Sequence, residues 1–185
     1  MHRTYQILYR LGITPWDAAR IPAPLTAAVE TLAGRPGIAV DLGCGTGRQA
    51  RYLAARGWSV TAADYIPKAI KTARQHDPDG LITWRVADVT QVAAVDPDGS
   101  LAGTITLLLD NGCLHGIPDQ RRPGWAHTIH TLAAPGCLLL ARGAPRRHHG
   151  PGPRGIHTHE LAALLGRGWR LGPSPGPGWY RYTHP

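Results

Sequence analysis

Short apolar runs alternate along the chain with amphipathic stretches, and glycine, proline or acidic residues separate them. The apolar runs that predict strands are Ile38–Asp41, Trp58–Asp64, Thr83–Asp88, Gly103–Asp110 and Gly136–Ala141. Segments without breakers predict helices at Arg48–Arg56, Ile66–Arg74, Arg122–Leu132 and His159–Leu165. Strands that alternate with helices in this way are typical of an α/β fold with a parallel sheet.

Three parts of the chain depart from this alternation. Residues 1–30 precede the first strand, and residues 142–158 are so rich in Gly, Pro, Arg and His that they predict a long mobile loop. Near the end, Trp169–Leu171 and Trp179–Tyr182 flank a glycine- and proline-rich connection and predict an antiparallel hairpin. No internal repeat or interdomain linker is visible, so we expect residues 1–185 to form a single domain.

Composition limits where the protein acts and what it binds. The chain has no apolar run of the length a membrane span needs and no apolar stretch after its N-terminus, so we expect a cytoplasmic protein with no membrane partner. The formal net charge is +8, yet the arginines are scattered, and we expect no nucleic-acid partner. The positive charge is compatible with an anionic small molecule.

Cysteine and histidine are present, but not in metal-binding spacings. Cys44, Cys113 and Cys137 have no C-x-x-C spacing and predict reduced, buried thiols. The histidines in and beside the Gly/Pro-rich loop are His148, His149, His157 and His159. Because Glu160 is the one nearby acid and such a loop does not fix a tetrahedral geometry, we expect no metal site.

The first predicted strand ends in Asp41 and runs at once into three glycines at alternate positions, Gly43, Gly45 and Gly47. A strand followed by a glycine turn and a helix brings bare backbone against a ligand. Asp41 would repel a pyrophosphate, but it would attract a cation or accept a hydrogen bond from an amine. The pattern Gly45-x-Gly47-x-x-Ala50 also matches a loose dinucleotide motif, which leaves a nicotinamide-dependent oxidoreductase as an alternative.

Two further acids stand at the ends of predicted strands, where open α/β sheets bind their ligands. Asp64 follows the glycine loop at roughly the interval at which an acid accepts hydrogen bonds from ribose hydroxyls. Asp88 ends the third strand and can accept from an adenine amino group, with the Val89 N–H facing a ring nitrogen. Together with Asp41 they predict an adenosine site without a phosphate cradle.

These features resemble the class I S-adenosylmethionine-dependent methyltransferases over nearly the whole chain. The motifs that carry the resemblance are Asp41–Gly47, Asp64 with Pro67 and Ala69, Ala87–Val89 and Leu109–Gly112, in the family's order. The resemblance implies a doubly wound, mostly parallel seven-stranded sheet with a C-terminal antiparallel hairpin. It also implies S-adenosyl-L-methionine as cofactor and S-adenosyl-L-homocysteine as product, with the glycine loop holding the methionine part, Asp64 the ribose and Asp88 the adenine.

Two shorter motifs point to a subgroup. Gly12–Asp17 and Asp110–His115 look like segments of the halide/thiol and thiopurine methyltransferases. In that group an N-terminal segment covers the cofactor and a Trp lies close to it, which implies this role for residues 1–30 and for Trp16. The cofactor-binding residues implied by both resemblances are Trp16, Asp41, Gly43, Cys44, Gly45, Asp64, Tyr65, Asp88, Val89, Asp110 and Asn111.

Methyl transfer from a sulfonium is an in-line displacement that requires alignment and exclusion of water but no protein nucleophile. We therefore expect transfer to a small-molecule acceptor, preferably a thiol or another soft or anionic nucleophile. One alternative is an O- or N-methyltransferase of a small metabolite that uses His115 or Asp110 as general base. Another is a non-catalytic protein that binds an adenosyl ligand, and the oligomeric state, monomer or homodimer, is left open.

Overall fold

The computed structural model describes residues 7–9, 11, 20–32, 36–146 and 154–185. Its strands are β1 (Ile38–Leu42), β2 (Ser59–Asp64), β3 (Ile82–Val86), β4 (Ile105–Asn111), β5 (Ala133–Arg142), β6 (Arg170–Leu171) and β7 (Trp179–Thr183). They form one seven-stranded sheet in the order β3-β2-β1-β4-β5-β7-β6. The first five strands are parallel, whereas β7 is antiparallel to both β5 and β6. The doubly wound, mostly parallel sheet and the C-terminal hairpin are confirmed.

Helices cover both faces of the sheet. They are α1 (Ala23–Thr31), α2 (Arg48–Ala54), α3 (Pro67–Gln75), α4 (Val92–Val95), α5 (Arg122–Leu132) and α6 (Thr158–Leu165). Helices α1, α2 and α3 pack on one face, and α4, α5 and α6 on the other. Neighbouring residues of β4 alternate between the two cores, with Leu108 in one and Leu107 and Leu109 in the other. Burial on both faces explains why β4 is apolar over most of its length.

Strand β5 differs from its prediction. It begins at Ala133 rather than Gly136, and its pairing with β4 shifts register between Ile105 and Leu107. Gly136 has a φ of 78°, a left-handed conformation that glycine adopts at little cost. A glycine within a strand commonly marks such an irregularity, so the sequence break at Gly136 lies inside a longer strand rather than at its start.

The N-terminal region includes a core helix. Helix α1 buries Leu25 and Val29 against the sheet, so the last part of the predicted covering segment 1–30 belongs to the core. Further toward the N-terminus, Tyr9 is buried against Ile66 and Ala69 at the start of α3. The prediction of a cover over the cofactor therefore concerns the residues before α1.

The segment predicted as a long loop, residues 142–158, is anchored at both ends. Arg142 is the last residue of β5 and Thr158 is the first of α6. Between them, Ile156 is buried and its N–H donates to the Ala144 carbonyl at 3.0 Å. The predicted mobility therefore does not extend to these two ends, while residues 147–153 lie outside the described residues. Among the helices that the structure describes, none is long and apolar enough to cross a membrane.

Candidate active site

The carboxyl ends of the parallel strands bring the predicted acids to one edge of the sheet. Asp41 of β1 pairs in register with Ala62 of β2 and Leu109 of β4, next to Asp110. Asp64 is the last residue of β2, and Asp88 lies just beyond the end of β3. Four carboxyl groups thus share the edge at which open α/β sheets bind their ligands.

The glycine loop after β1 is a tight turn fixed by its own backbone. The N–H groups of Gly43 and Cys44 both donate to the Ala63 carbonyl, at 2.8 and 3.0 Å. A Cβ on Gly43, whose φ is 73°, would lie 2.5 Å from the Cβ of Cys113. A Cβ on Gly47, whose φ is 79°, would lie 2.2 Å from the Trp84 ring. These glycines are therefore required for packing within the protein as well as for approach of a ligand.

Asp64 links the glycine loop to helix α3. Its carboxylate accepts from the Gly45 N–H at 3.0 Å and from the Ile66 N–H at 2.8 Å. The side chain is nearly buried, and half-buried Tyr65 follows it directly. The carboxylate thus has a fixed orientation at the end of β2, where a ligand hydroxyl would meet it.

Asp41 carries a buried oxygen atom without a donor. This atom, Oδ2, has no hydrogen-bond partner among the described residues, and the same holds for the buried Oδ1 of Asn111 at the end of β4. Burial, and after it the charges of Asp110 and Asp64, raise the pKa of Asp41 to about 8. An unpaired buried acceptor costs free energy that a ligand N–H donor, particularly a cationic one, would recover. The residues therefore fit a ligand with an amino group or another positive charge.

Asp110 has a different environment from Asp41. It is fully buried, and its oxygens accept from the N–H groups of Gly112, Cys113 and Leu114 and from the Trp125 indole at 2.9 Å. Burial raises its pKa to about 6 despite these bonds. A carboxylate offers about four acceptor positions, and these bonds occupy them. Asp110 therefore holds the turn after β4 against α5.

Asp88 is paired with a residue that the sequence did not single out. Its Oδ1 accepts from the N–H and the hydroxyl of Thr90, at 3.0 and 2.7 Å. Its Oδ2 accepts from the Arg121 guanidinium at 2.7 Å. Arg121 ends a 3₁₀ turn, Asp119–Arg121, that precedes α5, and no local sequence signal connects it with β3. Val89, beside Asp88, is buried.

His115 lies in the 3₁₀ turn Leu114–Gly116 after β4, and its ring nitrogens have distinct roles. Nδ1 accepts from the Ala144 N–H at 3.0 Å. Burial, followed by the charges of Arg142 and Arg122, lowers the pKa of His115 to about 4, so the ring is neutral near pH 7. A neutral imidazole that accepts at Nδ1 carries its proton at Nε2. His115 is thus a hydrogen-bond donor at Nε2.

Arginines surround His115 and fix the segment that follows β5. Buried Arg122 donates to the Ile117 carbonyl at 3.1 Å and to the Gly155 carbonyl at 2.7 Å. Arg146 binds Asp119 through both carboxylate oxygens, at 3.0 and 2.6 Å. Arg122 also lies 3.3 Å from Asp119, and Glu160 lies within 4 Å of both Arg122 and Arg146, so these two arginines are balanced by two acids. Arg142 adds a further positive charge near His115.

Of two further residues predicted to bind the cofactor, Trp16 and Cys44, the structure describes one. Trp16 lies outside the described residues. Cys44 is buried in the glycine loop, and burial raises the pKa of its thiol well above the usual range. Within the part of the chain that the structure describes, no three metal-ligating side chains come together.

The comparison that decides the family concerns the sheet and its ligand edge. A family model described as a methyltransferase domain matches residues 39–136, which include the glycine loop and the acids at the strand ends. The chain belongs to this methyltransferase family. Since the match runs from β1 into the start of β5, the fold described above is that of an S-adenosylmethionine-dependent class I methyltransferase, and a nicotinamide-dependent oxidoreductase is set aside.

Known methyltransferases resemble the chain over most of its length. The 2-heptyl-1-hydroxyquinolin-4(1H)-one methyltransferase of Mycobacteroides abscessus is 27% identical over 163 residues, 85% of this chain and 69% of that protein. The structure of the Burkholderia thailandensis 1,6-didemethyltoxoflavin-N1-methyltransferase, with S-adenosylhomocysteine bound, has a TM-score of 0.69 at 23% identity and covers 98% of this chain and 84% of that one. The N-methyltransferase NodS of Bradyrhizobium japonicum, also bound to S-adenosylhomocysteine, has a TM-score of 0.71 at 19% identity and covers 98% of both chains. The structural likeness shows a shared fold.

Proposed function

We propose that this methyltransferase acts on a small-molecule acceptor that reacts as an anion, a thiolate or an oxyanion. The observation that carries the proposal is the bond from the Ala144 N–H to Nδ1 of His115. It leaves Nε2 of the neutral ring as a donor, so His115 can bind an anion but has no free lone pair with which to take a proton, since that of Nδ1 accepts from Ala144. Such an acceptor must arrive already ionised.

The cofactor side of the proposal assigns the acids of β1 to β3. S-adenosylmethionine supplies a methyl group on a positively charged sulfur. Asp41, with its unpartnered Oδ2, would accept from the ammonium of the methionine part, and Asn111 offers a second acceptor nearby. Asp64 and Tyr65 would bind the ribose, while Asp88 and Val89 would bind the adenine. Gly43, Cys44 and Gly45 form the wall of the methionine end.

A cover formed by residues before α1, including Trp16, completes this proposal. The buried contact of Tyr9 with Ile66 and Ala69 supports it, because α3 begins at Pro67, three residues after the proposed ribose acid Asp64. A segment attached at this point is suitably placed to exclude water from the reacting atoms, which methyl transfer requires.

The acceptor side favours negative charge. His115 offers a donor at Nε2, and its pKa is lowered by the nearby charges of Arg142 and Arg122. Arg122 is paired with Asp119 and Glu160, so Arg142 is the guanidinium whose field would stabilise an anion beside His115. Asp110 cannot serve as base without giving up a bond to the turn after β4, since its oxygens are fully used. The chain therefore aligns the acceptor and stabilises its charge rather than removing a proton.

The M. abscessus relative supports an oxygen acceptor as one form of this chemistry. Its name describes a compound with a hydroxyl on the ring nitrogen of a quinolone. A hydroxyl on such a ring nitrogen is acidic, and its oxyanion is a competent nucleophile without a protein base. A thiolate would meet the same requirement, in keeping with the subgroup motifs of the sequence.

A second candidate is an N- or O-methyltransferase of a neutral metabolite with His115 as base. The B. thailandensis relative, an N1-methyltransferase by name, favours nitrogen as the acceptor atom. This candidate requires the opposite tautomer of His115, with the proton on Nδ1, and that tautomer would lose the bond from Ala144.

Methyl transfer from labelled S-adenosylmethionine to paired acceptors distinguishes the two candidates. Each pair shares one skeleton, such as 1-hydroxyquinolin-4-one against quinolin-4-one, or thiophenol against aniline. We expect methylation of the acidic member of each pair. His115→Ala should lower kcat/KM for it about 10- to 100-fold, the worth of one hydrogen bond to a charged group. His115→Gln, which retains an N–H donor, should recover most of this loss.

The base hypothesis predicts a different pattern. Gln cannot take a proton, so His115→Gln and His115→Ala would be equally inactive, and the neutral member of each pair would be the better substrate. Affinity for S-adenosylhomocysteine, measured by calorimetry in both variants, serves as the control because His115 lies on the acceptor side. That pattern of activities would overturn the proposal of an anionic acceptor.

A further inference from the structure

The ion pair between Arg121 and Asp88 spans the site where adenine is expected. We propose that Arg121 is a positioning residue that holds Asp88 in place for the adenine amino group, and so sets the selectivity for adenine over 6-oxopurine cofactors. The inference rests on the proposed function, in which Asp88 binds adenine. Arg121 would act on cofactor binding through Asp88 rather than by touching the cofactor.

The geometry fixes the Asp88 carboxylate at three points. Thr90 donates twice to Oδ1, from its N–H and from its hydroxyl. The Arg121 guanidinium donates to Oδ2 at 2.7 Å and to the Thr90 hydroxyl oxygen at 2.7 Å. Since a carboxylate has about four acceptor positions, one remains, on Oδ2, the oxygen that Arg121 holds.

The position of Arg121 is itself built into the fold. Gly124 at the start of α5 lies against Thr90, where a Cβ would come 2.5 Å from the Thr90 carbonyl oxygen. This close approach brings the 3₁₀ turn Asp119–Arg121 to the end of β3. At its other end, Asp119 is held by Arg146. Arg121 thus reaches Asp88 from an anchored turn rather than from a free surface loop.

Electrostatics explain why this pair would select adenine. Burial tends to raise the pKa of Asp88, but the bonds from Thr90 and the Arg121 charge outweigh it and hold the pKa below its usual value. Asp88 is therefore ionised and purely an acceptor. The 6-amino group of adenine is a donor and matches it, whereas the 6-oxo group of hypoxanthine is an acceptor and opposes it.

The test measures two ligands by calorimetry, S-adenosylhomocysteine and S-inosylhomocysteine, which differ at position 6 of the purine. We expect the wild type to prefer the adenosyl ligand, and Arg121→Met to lower this preference about tenfold. Arg121→Lys keeps the positive charge and should restore part of it. Arg56→Met is the control, because it removes an exposed arginine that stacks on Tyr52 rather than binding Asp88, and its preference should match the wild type.

The pH dependence of binding supplies a readout that a purely structural role would not move. Without the Arg121 charge the pKa of Asp88 rises, so Asp88 protonates at higher pH than in the wild type. As the pH falls, the Arg121→Met variant should therefore begin to lose affinity for S-adenosylhomocysteine at a higher pH than the wild type does.

Two outcomes contradict the inference, and a third contradicts its basis. If Arg121→Met weakens both ligands equally, or neither, Arg121 does not position Asp88 and the inference is wrong. If Asp88→Asn lowers the adenine preference in that same experiment, the role of Asp88 in the proposed function still stands. If Asp88→Asn leaves the preference unchanged, Asp88 does not bind adenine, and that part of the proposed function fails together with the inference.

Discussion

The two halves of the ligand edge differ in charge and in construction. The acidic half, at the ends of β1 to β3, carries Asp41, Asp64 and Asp88. The basic half, after β4 and β5, carries His115 as a neutral donor near Arg142, and a cluster in which Arg122 and Arg146 pair with Asp119 and Glu160. An acidic half suits a cationic cofactor, and a basic half suits an anionic acceptor. Under the proposed function, the site brings a cationic cofactor and an anionic acceptor together without a protein base between them.

The halves also differ in how the chain builds them. The acids stand at strand ends, so the strand itself sets their position. The second half depends on contacts between distant segments, such as His115 with Ala144, 29 residues apart, and Asp119 with Arg146, 27 residues apart. The acidic half should therefore withstand changes in loops better than the basic half.

The largest expected effect comes from removing an acid of the first half. Asp64→Ala takes away the carboxylate proposed for the ribose hydroxyls and the acceptor for the Gly45 N–H. We expect the Kd of S-adenosylhomocysteine to rise about 100-fold, the worth of one or two charged hydrogen bonds. Calorimetry measures this, with Asp79→Ala at an exposed position as control. Equal affinity in Asp64→Ala and the wild type would contradict the ribose assignment.

A smaller effect distinguishes the two reasons for glycine in the loop after β1, its backbone conformation and its close packing. Gly43 and Gly99 have φ values of 73° and 72°, but a Cβ on Gly99 would meet nothing within 4 Å. Gly99→Ala should thus cost about 1 kcal/mol of unfolding free energy for its backbone alone. Gly43→Ala adds the clash with Cys113 and should cost about 3 kcal/mol in total.

Urea unfolding of both variants measures this difference. Similar losses in Gly43→Ala and Gly99→Ala would mean that the contact between Gly43 and Cys113 contributes little. In that case the glycine loop and the turn after β4 would pack less tightly against each other than the contact of Gly43 with Cys113 indicates.

Proton release on cofactor binding is the most delicate test of the acidic half. With its pKa raised to about 8, Asp41 is largely protonated at pH 7, and a bound ammonium would lower that pKa. Binding of S-adenosylhomocysteine at pH 7 should then release up to about one proton per site. Calorimetry in buffers of different ionisation enthalpy counts these protons. The same count in Asp41→Asn as in the wild type would assign the proton to another group.

The sequence predicted the acidic half well because that half is local. Asp41, Asp64 and Asp88 could be located from strand ends and glycine spacing alone. The Arg121 pair with Asp88 could not, since 33 residues separate them and only the packing of α5 on Thr90 brings them together. His115 was found, but its tautomer depends on Ala144 in a different segment. Gly43 was predicted to contact a ligand, but its close packing against Cys113 could not be predicted, because Cys113 is also distant in the sequence.

The pH dependence of kcat/KM for two acceptors of one skeleton but different acidity tests the central claim most directly. A fluorinated analogue of the best acidic acceptor supplies the lower pKa. Since the pKa of His115 lies at about 4, the imidazole contributes no inflection above pH 5. We predict that the inflection moves with the pKa of the acceptor and persists in His115→Gln. An inflection at one fixed pH for both acceptors, absent from His115→Gln, would show instead that His115 acts as a base.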